Sequence, residues 1–344
     1  MPQENKFKLS IIIPIFNEEN YIKRLFLDLK KYFNEKNIEV IVINDGSNDD
    51  SNKILEELRK DSYEFNYDLI NLSKNYGKGY AVRQGAKKSK GNFILLQDAD
   101  LELDLKDSRE IYEIISKDVN IDCIFGSRYL SGKIKKHNNF INELFGKFNT
   151  FIFNLLFGQS LSDIHCGLKV FKRNVYNKIN LSVNDFGLEI DLASQIIKNN
   201  YFIYEVGVSY FSRTIKEGKK ITWIDGLKSY YYLFKARFLD NTTSTLISII
   251  ISPLYMTYVG SYFGMGLGTI FFMIIFFLTG MIIGLHTKIL SSLSIFLFIY
   301  IGSLLGNGNG TSLSVLLFFS LGIYIIKKIR NIVNKDYPRL VNLF

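Results

Sequence analysis

The chain has 344 residues, of which 47% are hydrophobic, and it carries a formal net charge of +9. That length is typical of two domains, and two cysteines without framework or C-x-x-C spacing argue against a disulfide-stapled fold and a zinc module. Because the basic residues cluster around a long apolar region, they indicate attraction to anionic lipid headgroups rather than to nucleic acid.

The first hundred residues alternate strand and helix patterns. Strands are predicted over residues 9–15, 39–43 and 68–72 and in a run that ends at Asp98; helices are predicted over residues 18–33, around residues 54–58 with Asn48 or Asp50 as the cap, and over residues 77–88. This order implies an α/β domain with a mainly parallel sheet covered on both faces. The first apolar run is too short for a signal peptide, so we expect this domain, residues 1–221, to stay in the cytosol.

Three separated motifs fall at the carboxyl ends of the predicted strands. Pro14, Asp45 and Asp98 lie at that edge, where such sheets bind ligands. Asp98 and Asp100 form a D-x-D pair after a buried strand, and carboxylate oxygens suit Mg²⁺ or Mn²⁺. Taken alone, the pair is as well explained by a solvated polar turn. G-x-G-x-x-G and P-loop patterns are absent, which weakens a dinucleotide or P-loop interpretation.

The C-terminal part predicts a membrane domain, residues 241–328. Residues 241–326 contain no Asp, Glu or Arg, and their only Lys is Lys288. Candidate spans are residues 245–262, 266–285, 289–305 and 312–326. Four spans would leave the basic link at residues 286–288 and the basic tail at residues 329–344 on the cytosolic side. Two long hairpin helices, or a buried soluble helical domain, are the alternatives.

A juxtamembrane helix is predicted over residues 222–240. Its aromatic and aliphatic residues alternate with Lys228, Lys235 and Arg237. That pattern is typical of an amphipathic helix in the headgroup layer, with aromatics at the interface and cations near phosphate.

The motifs resemble, in order, those of family 2 glycosyltransferases with the GT-A (Rossmann-like) fold. The general motifs are SIIIPIFNEE at residues 10–19, NDGS at 44–47, NYGKG at 75–79 and QDADLE at 97–102. Later motifs resemble the polyprenyl-phosphate branch, which includes dolichyl-phosphate mannose and glucose synthases and their bacterial undecaprenyl-phosphate counterparts. They are FGSRY at 125–129, DIHCGLK at 163–169, FGLEID at 186–191 and RTIKEGKK at 213–220. The resemblance covers residues 9–238.

The resemblance implies transfer of one sugar from a nucleotide diphosphate sugar (UDP- or GDP-linked) to a polyprenyl phosphate at a bilayer, with inversion. The implied donor-binding residues are Pro14, Asn17, Glu18, Asp45, Lys78 and Asp98, and the implied ligands of Mg²⁺ or Mn²⁺ are Asp98, Asp100 and Glu102. The implied catalytic residues are Asp100, Arg128, Glu189, Asp191, Arg213 and Lys219. Among these, the basic residues match positions near the acceptor phosphate. Surface charges, or helix-dipole stabilisation by Glu189 and Asp191, are the structural alternatives.

Three departures from the family pattern bear on which reaction the enzyme performs. Asn44 stands where many members have Asp, Glu102 stands where mannose synthases have Gln, and no Q-x-x-R-W motif is present, which argues against a processive polymerase. Cys166 is predicted to pack in the core, and Asp163 and Lys169 to form an internal pair. A different lipid acceptor, such as a diacylglycerol or ceramide, and a non-catalytic membrane scaffold are the competing hypotheses. The sugar, the nucleotide base and homo-oligomerisation stay open.

Overall fold

The structure is a computed structural model of the chain, and it describes residues 8–60, 67–118, 120–130, 132–136, 140–214, 217–218 and 223–239. The elements below, except one π-helical turn at Lys235–Leu239, belong to the first of two units, Met1–Phe234. Among the described residues no helix combines the length and apolarity needed to cross a bilayer. The predicted membrane spans, the basic tail and Lys219 lie outside the described residues.

Seven strands form one mixed sheet in the order β3-β2-β1-β4-β7-β5-β8. The strands are β1 Leu9–Ile15, β2 Ile38–Asn44, β3 Tyr67–Asn71, β4 Phe93–Leu96, β5 Cys123–Ser127, β7 Lys169–Lys172 and β8 Tyr204–Gly207, with β6 Lys135–Lys136 and β9 Tyr210–Phe211 paired separately. The helices are α1 Ile22–Tyr32, α2 Ser51–Lys60, α3 Lys78–Lys88, α4 Leu105–Lys117, α5 Phe140–Phe157, α6 Arg173–Lys178, α7 Leu188–Lys198 and α8 Trp223–Phe234.

The predicted α/β architecture is confirmed, with one antiparallel insertion. β1 pairs in parallel with β2 and β4, and β2 with β3, whereas β7 runs antiparallel between β4 and β5. β1 is buried along nearly its whole length, as expected for a central strand covered on both faces. The carboxyl ends of β1, β2 and β4 therefore share one edge, which is where the sequence motifs fall.

The first helix begins later than the sequence predicts, at Ile22 rather than at residue 18. Asn17 has φ 52°, and the amide of Glu18 donates to Ser51 Oγ at 2.9 Å, so this segment is a loop tied to the start of α2. At the start of α2, the amide of Ser51 donates to Asp49 Oδ1 at 3.0 Å, and the predicted cap at Asn48 or Asp50 stays a prediction. Hydrophobic spacing continues through such a loop, which is why periodicity alone places the boundary too early.

Helix α5 carries an exposed apolar face that the sequence analysis does not predict. The exposed large side chains on it are Phe140, Ile141, Leu144, Phe145, Phe148, Phe151 and Leu155. α5 packs beside α8: Asn149 Nδ2 donates to Ser229 Oγ at 2.7 Å, and the rings of Phe148 and Tyr230 lie 6.4 Å apart. Tyr231 and Phe234 on α8 are exposed as well.

Candidate active site

A cavity of about 760 Å³ opens at the carboxyl edge of β1, β2 and β4. It brings together ten of the residues predicted to form the site: Pro14, Glu18, Asp45, Lys78, Asp98, Asp100, Glu102, Arg128, Glu189 and Arg213. Two predicted residues, Asn17 and Asp191, do not line it. The convergence of motifs that span two hundred residues is the main structural support for a single site.

Lys78 bridges two carboxylates inside this cavity. It stands at the first position of α3, and its Nζ lies 2.7 Å from Asp98 Oδ1 and 2.8 Å from Glu189 Oε1. Burial alone would lower the pKa of Lys78, but the two carboxylates outweigh burial and hold that pKa above its ordinary value. The residue is therefore a fixed cation at the end of β4, suited to an anionic group bound in the cavity.

Asp45 acts on the backbone of the loop that delivers Lys78. Its two carboxylate oxygens accept from the amides of Tyr76 and Gly77, each at 2.8 Å. Gly77 has φ 97°, and a Cβ there would lie 2.4 Å from the carbonyl oxygen of Asn184, so the loop passes that backbone closely and needs glycine. In this arrangement Asp45 holds the residue 75–79 loop in place while it also lines the cavity.

Arg213 lies in the middle of an acidic cluster. Its Nη1 donates to Glu18 Oε2 at 2.8 Å and its Nη2 to Asp100 Oδ2 at 2.9 Å, while its backbone amide donates to Glu102 Oε1 at 2.8 Å. Tyr210 donates its hydroxyl to Glu102 Oε2 at 2.9 Å. Arg213 can therefore contact an acceptor phosphate, as predicted, only if it releases some of these carboxylates. Glu18, which is predicted to bind the donor, serves here as a counter-ion of Arg213.

The carboxylates at the end of β4 fit a divalent cation in their donor chemistry. Burial first, and the charge of Asp98 second, raise the pKa of Asp100 to about 7, so negative charge there is only partly balanced by Arg213. Within the described ranges no group of three His, Cys, Asp or Glu side chains is placed to hold a metal ion. Mg²⁺ is commonly held by one or two carboxylates, while water and substrate phosphates complete its shell. Glu102 as a third ligand stays a prediction.

Arg128 is bound to Asp163 in a buried bidentate ion pair. Its Nε lies 2.7 Å from Asp163 Oδ2 and its Nη2 lies 2.8 Å from Asp163 Oδ1. The predicted Asp163–Lys169 pair is therefore replaced by this one, and Lys169 instead donates to the carbonyl oxygens of Ile164 and Cys166. Burial would lower the pKa of Arg128, but Asp163 outweighs it and holds that pKa well above its usual value.

Asp191 anchors a neighbouring loop rather than facing the cavity. Its Oδ2 accepts from the amides of Ser182 and Val183 at 2.7 and 3.1 Å. The following residue, Asn184, packs against Gly77 and Gly79, which flank Lys78 at the start of α3. Of the two acidic residues at the start of α7, Glu189 is therefore the one placed to meet a ligand. Asn17 has a similar structural task, since its Oδ1 accepts from the amide of Asn48 at 2.8 Å.

Two residues of the DIHCGLK segment contribute to the site although the sequence analysis assigns them no role. A Cβ at Gly167 would lie 1.9 Å from Asp98 Oδ2, so only glycine leaves room for that carboxylate. His165 lines the cavity. Cys166 between them is fully buried, as predicted, and burial raises its pKa to about 12. The sequence signal that could have identified both residues was their position in the DIHCGLK motif.

Comparisons with known proteins identify the family that the chain resembles. Residues 10–179 match the model of glycosyl transferase family 2. A dolichyl-phosphate beta-glucosyltransferase of Dictyostelium discoideum is 29% identical over 240 residues, which cover 63% of this chain and 73% of that protein. The enzyme of the same name from Saccharomyces cerevisiae is 28% identical over 241 residues, covering 64% of this chain and 71% of that protein.

Solved structures show the same fold at low sequence identity. Glucosyl-3-phosphoglycerate synthase from Mycobacterium tuberculosis, in complex with phosphoglyceric acid, aligns with a TM-score of 0.53 at 15% identity, covering 67% of this chain and 80% of that one. A structure of the same enzyme with Mn²⁺, UDP and glucosyl-3-phosphoglycerate aligns with a TM-score of 0.52 at 14% identity, covering the same 67% and 80%. Residues 10–179 thus match a family 2 glycosyltransferase domain, the chain has the GT-A fold and is a glycosyltransferase, and it resembles the polyprenyl-phosphate branch as the motifs predict.

Proposed function

We propose that this enzyme transfers one hexose, with glucose as the first expectation, from a nucleoside diphosphate sugar to a polyprenyl phosphate. The observation that carries the proposal is the buried set of alternating charges at the carboxyl edge of the sheet, Lys78 with Asp98 and Arg213 with Asp100. Such a set suits a diphosphate leaving group and a phosphate nucleophile. The relatives named for glucosyl transfer to dolichyl phosphate supply the expected sugar and acceptor class.

The chain's own residues can accomplish this transfer without a strong general base. A phosphate monoester has a second pKa of about 6 in phosphorylated side chains, so the acceptor is largely dianionic at pH 7. This fits a cavity in which Asp191 is committed to backbone amides and Glu189 is paired with Lys78. Arg213 can exchange its carboxylates for the acceptor phosphate, because its planar fork binds either oxyanion.

A divalent cation is the proposed cofactor. Mg²⁺ or Mn²⁺ held by Asp98 and Asp100 would stabilise the charge that develops on the leaving nucleoside diphosphate. Lys78, already bound to Asp98, would orient the same diphosphate from the side of α3. Direct displacement by the acceptor phosphate predicts inversion at the anomeric carbon, and the configuration of the product measures it.

The proposed location is a bilayer surface, with the cavity at headgroup depth. The exposed aromatic and aliphatic side chains of α5 lie beside Lys147, and neighbouring Tyr231 and Phe234 on α8 extend the apolar area. Aromatic side chains next to cations are typical of segments that lie in the membrane interface. Residues 241–328 are proposed to span the membrane and residues 329–344 to form a cytosolic tail, as their composition predicts.

Lipid labelling tests the proposal. The purified full chain in detergent would receive radiolabelled UDP- and GDP-sugars, dolichyl or undecaprenyl phosphate, and Mg²⁺ or Mn²⁺. We expect label in the organic phase that depends on both the acceptor phosphate and the cation. Label transferred to diacylglycerol or ceramide instead would replace the acceptor class. The absence of nucleotide-sugar binding would contradict donor use altogether.

Gly167→Ala should impair this transfer while the fold persists. The added Cβ would lie 1.9 Å from Asp98 Oδ2 and 2.7 Å from its Cγ, so the carboxylate must move by about an ångström. A displacement of that size at a reacting centre costs on the order of 10²-fold in turnover. The measurement is kcat together with the melting temperature. Gly226→Ala is the matched control because its Cβ would meet no atom within 4 Å; equal activity of the two variants would contradict the expectation.

A further inference from the structure

A buried carboxylate outside the cavity joins distant segments of the chain. Asp107, in the first turn of α4, is only 3% exposed, and its Oδ2 accepts from the backbone amide of Ser209 at 2.6 Å. Its Oδ1 lies 2.8 Å from Lys133 Nζ, which also lies 2.6 Å from Glu110 Oε2 on the same helix. The hydrogen bonds to Asp107 and Glu110 raise the pKa of Lys133 above its ordinary value, so the cation persists at pH 7. Asp107 therefore attaches the segments that begin at Lys133 and at Ser209 to one helix.

These two segments run together to the cavity, and we call residues 134–136 and 209–213 the β6–β9 ribbon. β6 and β9 pair in parallel, with Lys135 opposite Tyr210, and the amide of Tyr210 donates to the carbonyl oxygen of Ile134 at 2.9 Å. Three basic side chains of the ribbon line the cavity: Lys135, Lys136 and Arg213. Each strand of the ribbon has two residues, and a two-stranded pairing of that length is not stable by itself. The position of these cations therefore depends on how the ribbon is attached to the rest of the domain.

The ribbon has two attachments of different character. Glu102 accepts from the Tyr210 hydroxyl and from the Arg213 amide, but Glu102 lines the cavity and is a candidate ligand of the cation. Its bonds to the ribbon therefore compete with whatever binds there. Asp107 and Lys133 are not among the residues that line the cavity, so their attachment does not compete with a ligand. The ion pair on α4 is thus the attachment that can hold the ribbon in place throughout the reaction.

The acceptor phosphate is the substrate group that depends most on cations placed in advance. It is largely dianionic at pH 7 and has to approach a donor diphosphate of the same sign. Cations that are already held in position bind it more tightly, because binding then does not have to order them. We propose that Lys133 and Asp107 are positioning residues for the acceptor phosphate, which hold the β6–β9 ribbon so that its cations lie in the cavity before the acceptor binds; this rests on the proposed function.

Steady-state kinetics of Lys133→Met test this inference. The full chain in detergent would be assayed with dolichyl or undecaprenyl phosphate and with the nucleotide sugar that labels it, each varied in turn. The KM for the polyprenyl phosphate should rise about tenfold, the equivalent of one hydrogen bond to a charged group, because the bound acceptor then has to order the ribbon. The KM for the nucleotide sugar should change less than about twofold, and kcat at saturating acceptor less than about threefold. A merely structural role would not separate the two substrates in this way.

A conservative variant and a matched control accompany this substitution. Lys133→Arg keeps a cation that can bind both carboxylates and should recover most of the affinity for the acceptor. Lys117→Met is the same kind of change on the same helix, at an exposed ion pair: Lys117 Nζ lies 3.6 Å from Glu113 Oε2, and its side chain is 77% exposed. Since exposed pairs contribute little, Lys117→Met should leave both KM values unchanged.

The contrary outcomes separate the inference from the proposed function. If Lys133→Met raises both KM values equally, leaves both unchanged, or lowers only the melting temperature, the ion pair does not position the ribbon for the acceptor. The inference is then wrong while the proposed function stands. If the unmodified chain transfers sugar to neither polyprenyl phosphate, the proposed function fails and the inference fails with it.

Discussion

Asp163→Ala should lower the melting temperature of the chain by on the order of 10 °C, measured on the full-length protein in detergent. The Asp163 side chain is fully buried and holds the guanidinium of Arg128, which is itself 18% exposed, at 2.7 Å. Removing one partner of a buried ion pair leaves an uncompensated charge and costs about 3–5 kcal/mol. For a domain of about 150–250 residues each kcal/mol shifts the melting temperature by about 2–4 °C.

The pH at which this loss is measured matters. Burial would raise the pKa of Asp163, but Arg128 outweighs burial and lowers it. A carboxyl group with a depressed folded-state pKa contributes stability above its unfolded pKa of about 3.9 and loses it as pH falls through the folded value. The full difference between Asp163→Ala and the unmodified chain is therefore expected at pH 7. The difference should shrink at strongly acidic pH.

An exposed ion pair supplies the matched control. Asp68 and Lys88 lie 3.4 Å apart with side chains 51% and 45% exposed, and pairs of this kind contribute about 0–1 kcal/mol. Asp68→Ala should therefore leave the melting temperature nearly unchanged. A similar small shift for Asp163→Ala would mean that water reaches Arg128 and that the pair is not structurally required. Replacement of both Arg128 and Asp163 by apolar residues should restore part of the loss, since no lone charge remains.

The example of Arg128 also shows where prediction from sequence ends. Local patterns predict β1 to within its observed bounds and place β2, β3 and α3 within a residue or so, because strand and helix periodicity is written in neighbouring residues. The partner of Arg128 lies 35 residues away, whereas the prediction made within the DIHCGLK motif was that Asp163 pairs with Lys169. The antiparallel placement of β7 between β4 and β5 is likewise a matter of long-range pairing that no local pattern specifies.

The site was predictable as a set of residues and less so as a set of contacts. Ten predicted residues line one cavity because strand ends of a parallel sheet meet at one edge. Their partners could not be anticipated, since each pairing depends on loops that approach from distant parts of the chain. Asp45 binds backbone amides, Asp191 anchors a loop, and Arg213 contacts carboxylates. The motifs therefore identified the residues of the site. The structure shows which of them face the cavity and which hold neighbouring loops or side chains in place.

Asp100→Asn should reduce sugar transfer by about 10³-fold and should not lower the melting temperature. The fall in rate reflects the loss of a carboxylate proposed to hold the cation that stabilises the leaving diphosphate; removal of a single charge-stabilising group typically costs 10²–10³-fold. The effect on stability has the opposite sign. Burial and the neighbouring Asp98 raise the pKa of Asp100 to about 7, so its ionised form is costly in the folded state and a neutral amide relieves that cost.

Asp104→Asn is the control for this change, four residues along the same segment. Asp104 caps α4 by accepting from Lys106 N at 2.9 Å, and asparagine caps a helix about as well as aspartate. The same substitution should therefore leave both transfer and melting temperature close to those of the unmodified chain. Titration with Mn²⁺ after chelation should restore transfer in Asp104→Asn and fail to do so in Asp100→Asn.

The combination of the two readouts separates a catalytic from a structural role for Asp100. A residue kept for stability would lose rate and melting temperature together when replaced, as Asp163 is expected to do. Replacing a residue whose charge serves catalysis and destabilises the folded state lowers the transfer rate without lowering the melting temperature. If Asp100→Asn transferred sugar at the full rate, the proposed position of the reacting centre at the end of β4 would be wrong. A drop in melting temperature equal to that of Asp163→Ala would show that the ion pair with Arg213, at 2.9 Å, outweighs the repulsion from Asp98.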